Sequence, residues 1–413
     1  MTSGKKLIFF TRSYPYGFGE LWKTNELKVL KEYFDQILIV PFEFGGNMIS
    51  VAPIDGITYT RPLFECQISY PAWYHRLIAI IISPNREIFF CEFFREKVFF
   101  SLTKIKAWLL YSYRLLAIKK NLSFKKIIDE VDRNTILYFY WGRWTSEVLP
   151  VLKLTAPCFK IVCRFHRYDL YRYANSGYIP YQYYQIVKLD YALPCSEDGK
   201  NELISYYPKF KDKIIVSRLG TLSSGRATRS EDGVLRIVSC SLIEKVKRID
   251  LIAHALPLLN VQKIEWTHIG GGSKAEDISS IALRYDHERI RFRFLGQIPN
   301  QMVIDYYSNN TIDLFINVSE SEGVPVSVME ALAAGIPVIA TDVGGTREII
   351  DCNVGSLINK NISHTQLAEF IFEFYNLSDD QKNTKRENAY ETYLDKCEAV
   401  IHAKKLATLL ISA

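Results

Sequence analysis

The sequence predicts an α/β protein built from two successive runs of alternating strand and helix. Three observations carry that prediction. Short apolar runs of strand length recur along the chain, among them KKLIFF, QILIV, TILYFYW and DLFINV. Several alternate with segments whose apolar residues fall at helical spacing, and strand–helix–strand units of this kind build parallel sheets. The alternation is interrupted at TLSSGRATRSEDG (221–233), a polar, Gly/Ser-rich stretch suited to a linker, and then restarts.

Taken in order, KKLIFFTRSYPYGFGE reads as a buried strand leading into a Gly-rich turn, LWKTNELKVLKEYF as a helix and QILIVPF as the next strand. Further strands are expected at TILYFYW (135–141), FKIVCRF (159–165), YALPC and KIIVSRLG. After the linker come VLRIVSCS as strand, RIDLIAHALPLL as helix, then IEWTHIG and IRFRFLG as strands. NQMVIDYYSN (helix), DLFINVS (strand), VSVMEALAAG (helix) and PVIATD (strand) complete the second run. The tail is charged and helical in pattern. The expected domains are therefore 1–220, 221–385, and a C-terminal helix over 386–413 that returns to the first domain.

Composition bounds the function. A chain of 413 residues can bury two sizeable cores. Its 48% hydrophobic and 23% charged residues are ordinary for a globular protein. Eight cysteines without a CxxC pair argue against a disulfide framework or a zinc site and point to a reducing compartment. The N-terminal MTSGKKLIFFTRSYP lacks a long apolar signal core, and no apolar run approaches the ~18 residues of a spanning helix. A cytoplasmic location is expected, at the inner face of the plasma membrane if the chain touches lipid. The net charge of +6 is unevenly spread, because residues 71–126 carry a large excess of Lys and Arg over three glutamates. Mixed with Phe, Tyr, Trp and Ile, those cations suit a membrane surface, or else a domain core with a solvated basic face. A sequence pI near 8.7 with no nucleic-acid motif argues against nucleic acid as partner.

Chemistry concentrates in SESEGVPVSVMEALAAGIPVIATD, where Glu322 and Glu330 stand eight residues apart around a Gly-Val-Pro turn. Pro325 suits a first helical position, Gly335 a helix C-cap, and Pro337 comes just after. The helix is expected to start close to Glu322 and to aim its N-terminus, a ready anion site, at the preceding loop. A plainer local reading competes: Ser327 and Glu330 fit an S-x-x-E capping box.

The flanking segments favour the first reading. INVSESEGVPVSVMEALAAGIPVIATDVGG closely resembles the E-x7-E region of the retaining glycosyltransferase family four, the glycosyl transferases group 1. IVSCSLIEKVKRIDLIAHAL resembles that family's first donor-domain strand, phosphate loop and helix, and WTHIGGGS and FRFLGQIPNQMVIDYY its next two strand ends. RSYPYGFGE is similar to its Gly-containing N-terminal loop and CRFHRYDLY to its His-containing loop. The likeness is strong over 235–350, patchier over 1–220 and weak between 60 and 130.

The resemblance implies the GT-B fold, two Rossmann-like parallel-sheet domains facing a central cleft. It implies a hexose-type sugar moved, with retention of configuration, from a nucleoside-diphosphate sugar to a glycan or lipid-linked acceptor in bacterial surface polysaccharide synthesis. Residue by residue, it places Glu330 on the nucleotide ribose and Glu322 beside the donor sugar. The amides of Gly323 and Val324, with Pro325 opening the helix, face the sugar and diphosphate. Lys247 binds the diphosphate, with Arg248 next to it, and His166 lies near the reaction centre. Gly17 and Gly19 let the N-terminal loop approach the phosphate, and Gly296 ends a neighbouring donor-site strand. One departure stands out: the family's arginine five residues before the lysine is Leu242 here.

Two further features narrow the chemistry. GGGSKA (270–275) satisfies a dinucleotide fingerprint, but the next strand, IRFRFLG, ends without the acidic residue that would hold a ribose hydroxyl. No two aspartates are separated by one residue, so the metal-binding Asp-x-Asp of other transferases is absent and a cofactor-free, metal-independent enzyme is expected. The alternatives are a nucleotide-sugar epimerase of the same fold and a non-catalytic sugar-nucleotide-binding protein.

Overall fold

A computed structural model describes residues 4–16, 20, 22–44, 52–65, 68–285 and 288–412. The chain divides into two compact units, one of Met1–Ser217 with Ala403–Ala413 and one of Arg218–His402.

The first unit holds a six-stranded sheet of β1 (Lys6–Thr11), β2 (Gln36–Pro41), β3 (Ile57–Tyr59), β4 (Thr135–Phe139), β5 (Lys160–Phe165) and β6 (Tyr191–Pro194), in the order β3-β2-β1-β4-β5-β6. Every pairing is parallel; Ile8, for example, stands opposite Leu38 on one side and Leu137 on the other. Leu7, Ile8, Phe9 and Phe10 are all fully buried, as the unbroken apolar run demands of a strand covered on both faces.

The second unit repeats the plan with β7 (Val234–Cys240), β8 (Lys263–Ile269), β9 (Ile290–Phe294), β10 (Leu314–Asn317), β11 (Val338–Thr341) and β12 (Gly355–Ile358), ordered β12-β11-β10-β7-β8-β9 and parallel throughout. Alternate residues feed two separate cores. Leu314 and Ile316 pack with Ile237 and Ile339 on one face, whereas Phe315 packs with Val238, Val338 and Ala340 on the other. Counted from its own first strand, each sheet has the Rossmann order 3-2-1-4-5-6. In both, the strand order reverses beside the first strand, between β1 and β4 and between β7 and β10. Crevices at the carboxyl ends of those strands are where open α/β sheets bind ligands.

Some expectations give way to tertiary context. KIIVSRLG forms no strand; it runs alongside β6 as an extended segment, with Ile215 N–H donating to Ala192 O at 3.0 Å and Ser217 N–H to Pro194 O at 2.9 Å. The tail is two helices, Asp379–Lys396 and Ala399–Ile411. They separate because the chain at 397–399 pairs with Thr221, whose N–H donates to Cys397 O and whose carbonyl accepts from Ala399 N–H. That approach needs the bare backbone of Gly220, where a Cβ would lie 2.5 Å from Ala399 Cα. The second of these helices closes against the first sheet: Lys160 Nζ donates to Leu409 O at 3.0 Å.

The segment before β4 is helical, comprising Trp73–Ile81, Arg86–Arg95, Leu102–Lys120 and Leu122–Asp129. Ser101 and Asn121 cap the last two, each side chain accepting a backbone N–H of the first turn. Trp108, Leu115, Leu116, Ile118 and Phe124 enter the first unit's core. Much of the rest of this segment's apolar surface stays exposed. Among the described residues no helix is long and apolar enough to cross a membrane.

Candidate functional site

In the second unit three of the residues singled out by sequence, Lys247, Arg248 and Glu322, meet where the strand order reverses. β7 ends at Cys240 and the chain passes through a single 3-10 turn, Lys245–Lys247. Arg248 then takes a left-handed conformation (φ 50°) and donates through Nε to Val318 O at 2.7 Å, tying the β7 loop to the end of β10. Glu320 N–H reinforces the tie by donating to Val246 O at 2.8 Å. With the two loops so joined, Lys247 Nζ reaches Glu322 Oε1 at 2.5 Å. Asn317, the last residue of β10, directs its amide at the same oxygen from 3.5 Å. Glu322 is only 8% exposed, so the lysine is the cation that makes its burial tolerable.

The helix expected to begin beside Glu322 begins at Val326, with Pro325 as N-cap, and runs to Ala333. Glu322 therefore stands in the loop, and the two glutamates do not share a helix face. Ser327 lies inside the first turn instead of at the cap, which removes the capping-box reading. A proline cap offers no side-chain acceptor, so the helix start keeps its positive end open toward the loop. The amides of Gly323 and Val324 donate to no other described residue. The loop is held from behind, where Gly345 N–H donates to Gly323 O at 2.6 Å. Gly335 succeeds the helix at φ 65°, the left-handed residue that the sequence marks as its stop.

Glu330 projects from the second turn of that helix into a buried site (5% exposed), where Asn300 Nδ2 donates to its Oε1 at 2.5 Å. Burial pushes its carboxyl up to about 7, a rise that the Asn300 hydrogen bond only partly offsets. Gly296 lies nearby in the chain at φ 67°, its carbonyl accepting the Gly270 N–H at 2.9 Å where β8 and β9 end. Gly270 and Gly272, the fingerprint glycines, are required by backbone approach: Cβ atoms there would lie 1.8 Å from Ser241 O and 2.5 Å from Ile243 O. Leu242, where the resemblance leads one to expect arginine, is exposed.

His166 belongs to the first unit, directly after β5. Its Nε2 lies 3.1 Å from Tyr140 O and its Nδ1 3.6 Å from Cys195 Sγ. A carbonyl can only accept, so Nε2 carries the proton and Nδ1 faces the thiol. Burial, then the charges of Arg164 and Lys23, hold the ring's pKa well below the usual histidine value, so it is neutral. Gly17 and Gly19 lie outside the described residues.

A buried polar network just beyond those glycines was not singled out by the sequence. Glu20 is buried and accepts from the amides of Ser13 and Tyr14, both at 2.7 Å, from the Trp141 indole and from Lys23. Lys23 is fully buried; burial brings its pKa down to about 8 against the pull of Glu20. Beside them Arg164 pairs with Glu26 at 3.0 Å. Glu20 comes after β1 and Trp141 after β4, so this network occupies the switch point of the first sheet. Asn300 and Asn317 were missed as well. The spacing E-x-x-K in GELWK hints at the Glu20–Lys23 pair, but Asn300 and Asn317 offer no local signal.

Comparison with known proteins agrees with this geometry. Residues 226–392 match the family described as Glycosyl transferases group 1. The O-antigen biosynthesis glycosyltransferase WbnH of Escherichia coli is 36% identical over 85 residues, 21% of this chain and 22% of that protein. The amylovoran biosynthesis glycosyltransferase AmsK of Erwinia amylovora is 28% identical over 152 residues, 35% and 37% of the two chains. The matched stretches thus span well under two thirds of these curated relatives. Among solved structures, Anabaena Alr3699/HepE in complex with UDP and glucose superposes with a TM-score of 0.63 at 16% identity, covering 99% of this chain and 100% of that one. That likeness speaks for the fold. Two Rossmann-like six-stranded units of the GT-B kind, with Lys247, Glu322 and Glu330 gathered in the second, identify residues 226–392 as a domain of the glycosyl transferases group 1 family.

Proposed function

We propose that the protein is a retaining, metal-independent glycosyltransferase. In this reading it moves a hexose-type sugar from a nucleoside-diphosphate sugar to a glycan or lipid-linked glycan of the bacterial cell surface, working in the cytoplasm. The observation that carries the reading is the Lys247–Glu322 pair at the switch point of the second sheet, beside the undonated amides of Gly323 and Val324 and above the buried Glu330. One cation, two amides and a helix start form an electropositive seat for a diphosphate, and a buried carboxylate suits a ribose diol.

The chemistry then divides among this chain's residues. Lys247 and the two amides stabilise the negative charge that builds on the departing diphosphate. The donor competes with Glu322 for Lys247, so on donor binding this ion pair gives way to a lysine–phosphate contact. Glu322, released toward the sugar, faces the positive charge that develops at the anomeric carbon. A phosphate oxygen of the leaving group takes the acceptor proton, with attack on the face the diphosphate leaves, and configuration is retained. The first unit supplies the acceptor side, where neutral His166 donates or accepts a hydrogen bond and does not act as a cation. The reading is supported by the family match over residues 226–392 and by two relatives that, by their names, act in O-antigen and amylovoran biosynthesis.

The test begins with thermal shift against a panel of nucleoside diphosphates, since a ligand that binds only the native state raises the melting temperature by mass action. The one that binds identifies the donor base. Incubation of the matching nucleotide sugars with cell-surface glycan acceptors should release the diphosphate, in the presence of excess EDTA, and proton NMR should show the donor's anomeric configuration kept. Binding without release in any acceptor mixture identifies a sugar-nucleotide sensor, and no shift with any diphosphate refutes the donor site.

A further inference from the structure

The helices between β3 and β4 expose more apolar surface than a folded core explains. On the helix Trp73–Ile81 and its cap, Tyr74, Ile78, Ile81 and Ile82 recur at i, i+4, i+7 and i+8 and face solvent, with Trp73 beside them. Ile82 is 74% and Trp73 62% exposed. A second group lies at the turn Val98–Phe100: Phe94, Phe99 and Phe100 form a contiguous ring cluster, with centroids 6.3 and 4.4 Å apart, and Leu102 adjoins it. Phe100 and Leu102 are 76% and 77% exposed. Both groups sit on elements that pack against the one helix Leu102–Lys120. Scattered exposed apolar residues are normal, but nine large ones within thirty residues of chain are not.

The charge around them is mostly positive. Arg86, Lys97 and Lys106 are exposed and have no carboxylate at ion-pair distance among the described residues. Glu92 is buried, where it accepts from Tyr178 and the Tyr181 amide, and Glu96 is engaged by Arg172 and Arg95. That leaves Glu87 as the exposed acid of this stretch.

We propose that this face docks on an anionic lipid surface, its aromatic and aliphatic side chains entering the interface while Arg86, Lys97 and Lys106 meet lipid phosphates. The chemistry favours lipid over a second copy of the chain. A two-fold interface would lay the same basic patch against itself, and like charge opposes that contact. Anionic headgroups neutralise the patch, and Trp, Tyr and Phe with basic neighbours suit the headgroup boundary. Docking of this kind is independent of the transfer reaction.

The full-length protein is tested by co-sedimentation with vesicles of phosphatidylcholine alone and of phosphatidylcholine with phosphatidylglycerol. Binding is expected to the second and to weaken with added salt. The Lys97→Glu/Lys106→Glu variant should lose at least about tenfold in vesicle affinity, given about fivefold for each basic residue near such a surface. Phe99→Ser/Phe100→Ser and Trp73→Ser/Ile78→Ser should each lose binding while melting within a few degrees of wild type. All three should keep the thermal shift given by nucleoside diphosphates, which separates this surface from the donor site. Equal binding to both vesicle types, or variants that sediment like wild type, overturns the proposal. So does a dimer by light scattering that the Phe99→Ser/Phe100→Ser change converts to monomer in a protein that ignores vesicles.

Discussion

Lys247 Nζ lies 2.5 Å from Glu322 Oε1, although the residues are 75 positions apart and come from loops after different strands. The pair forms because β7 and β10 are neighbours in the sheet and Arg248 pins the two loops together. In the proposed reaction it joins the cation that would receive the leaving diphosphate to the carboxylate beside the sugar, so loss of either partner should affect both stability and turnover.

Lys247→Ala should lower turnover at least about tenfold, the factor that ~1.4 kcal/mol of transition-state stabilisation represents. It should also destabilise the fold by roughly 1–3 kcal/mol, because Glu322 is left mostly buried with its cation removed. In Lys247→Ala/Glu322→Gln the melting temperature should recover and turnover should not. Lys245→Ala serves as control. A Lys245→Ala enzyme as impaired as Lys247→Ala would show that the phosphate cation has been placed on the wrong residue.

Leu242 occupies the position of a second phosphate cation in the resemblance, and its side chain is exposed. Leu242→Arg introduced into the Lys247→Ala background should recover part of the lost turnover if position 242 faces the phosphate. Measured as a cycle of single and double variants, the coupling between 242 and 247 should be clearly non-zero. Additive effects would mean that position 242 does not face the diphosphate.

Much of this was legible in the sequence, and the reasons are particular. β1, β4, β7 and β10 are apolar runs buried on both faces, and the linear pattern records that burial. β3 and β12 have three and four residues, with polar or half-buried positions, too few to show a period. Glu322 and Glu330 were found through their motif. Ser327 suggested a cap that Pro325 in fact provides, since S-x-x-E describes a spacing and not a helix boundary. Asn300 and Asn317 act through partners 30 and 5 residues away whose proximity only the fold creates. The Lys- and Phe-rich stretch over 71–126 could not be divided into core and surface by composition, because Trp108 and Phe100 differ in burial through tertiary packing alone.

Gly344 tests how finely the Glu322 loop is held. It takes φ 55°, and a Cβ there would lie 2.1 Å from Glu322 O and 2.9 Å from Gly323 O. Gly344→Ala must push the loop away, so turnover should fall at least about tenfold while the melting temperature drops by several degrees. Gly296→Ala is the comparison: φ is 67° but nothing lies within 4 Å of the new methyl. Its cost should be the backbone strain alone, about 1–2 kcal/mol. If the two variants lose the same activity, close packing behind Glu322 is not what positions it.

In the proposed reaction Glu330 combines a cost to folding with a use in binding. Burial raises its pKa from the ordinary 4.5 to about 7, so between those values the folded protein holds a proton that the unfolded chain has lost. The stabilising contribution of this proton is complete below about 4.5 and is lost as pH rises toward and through 7. Above that, an ionised carboxylate sits where burial disfavours it. Glu330→Gln keeps an oxygen for the Asn300 amide and cannot ionise. It should therefore melt higher than wild type at pH 8, by up to roughly 3 kcal/mol at ~1.36 kcal/mol per unit, and show no such gain near pH 4.5. Nucleotide binding should move the other way, since a carboxylate accepts two ribose hydroxyls better than a neutral amide does. Wild-type affinity for the nucleoside diphosphate should fall as pH drops below 7, with the variant weaker at pH 8 and less dependent on pH. Titrating both proteins across that range, and subtracting one profile from the other, removes the ionisation of the phosphate itself. A variant that is no more stable at pH 8 would mean that Glu330 ionises in the ordinary carboxylate range, and equal affinities would take the ribose away from it.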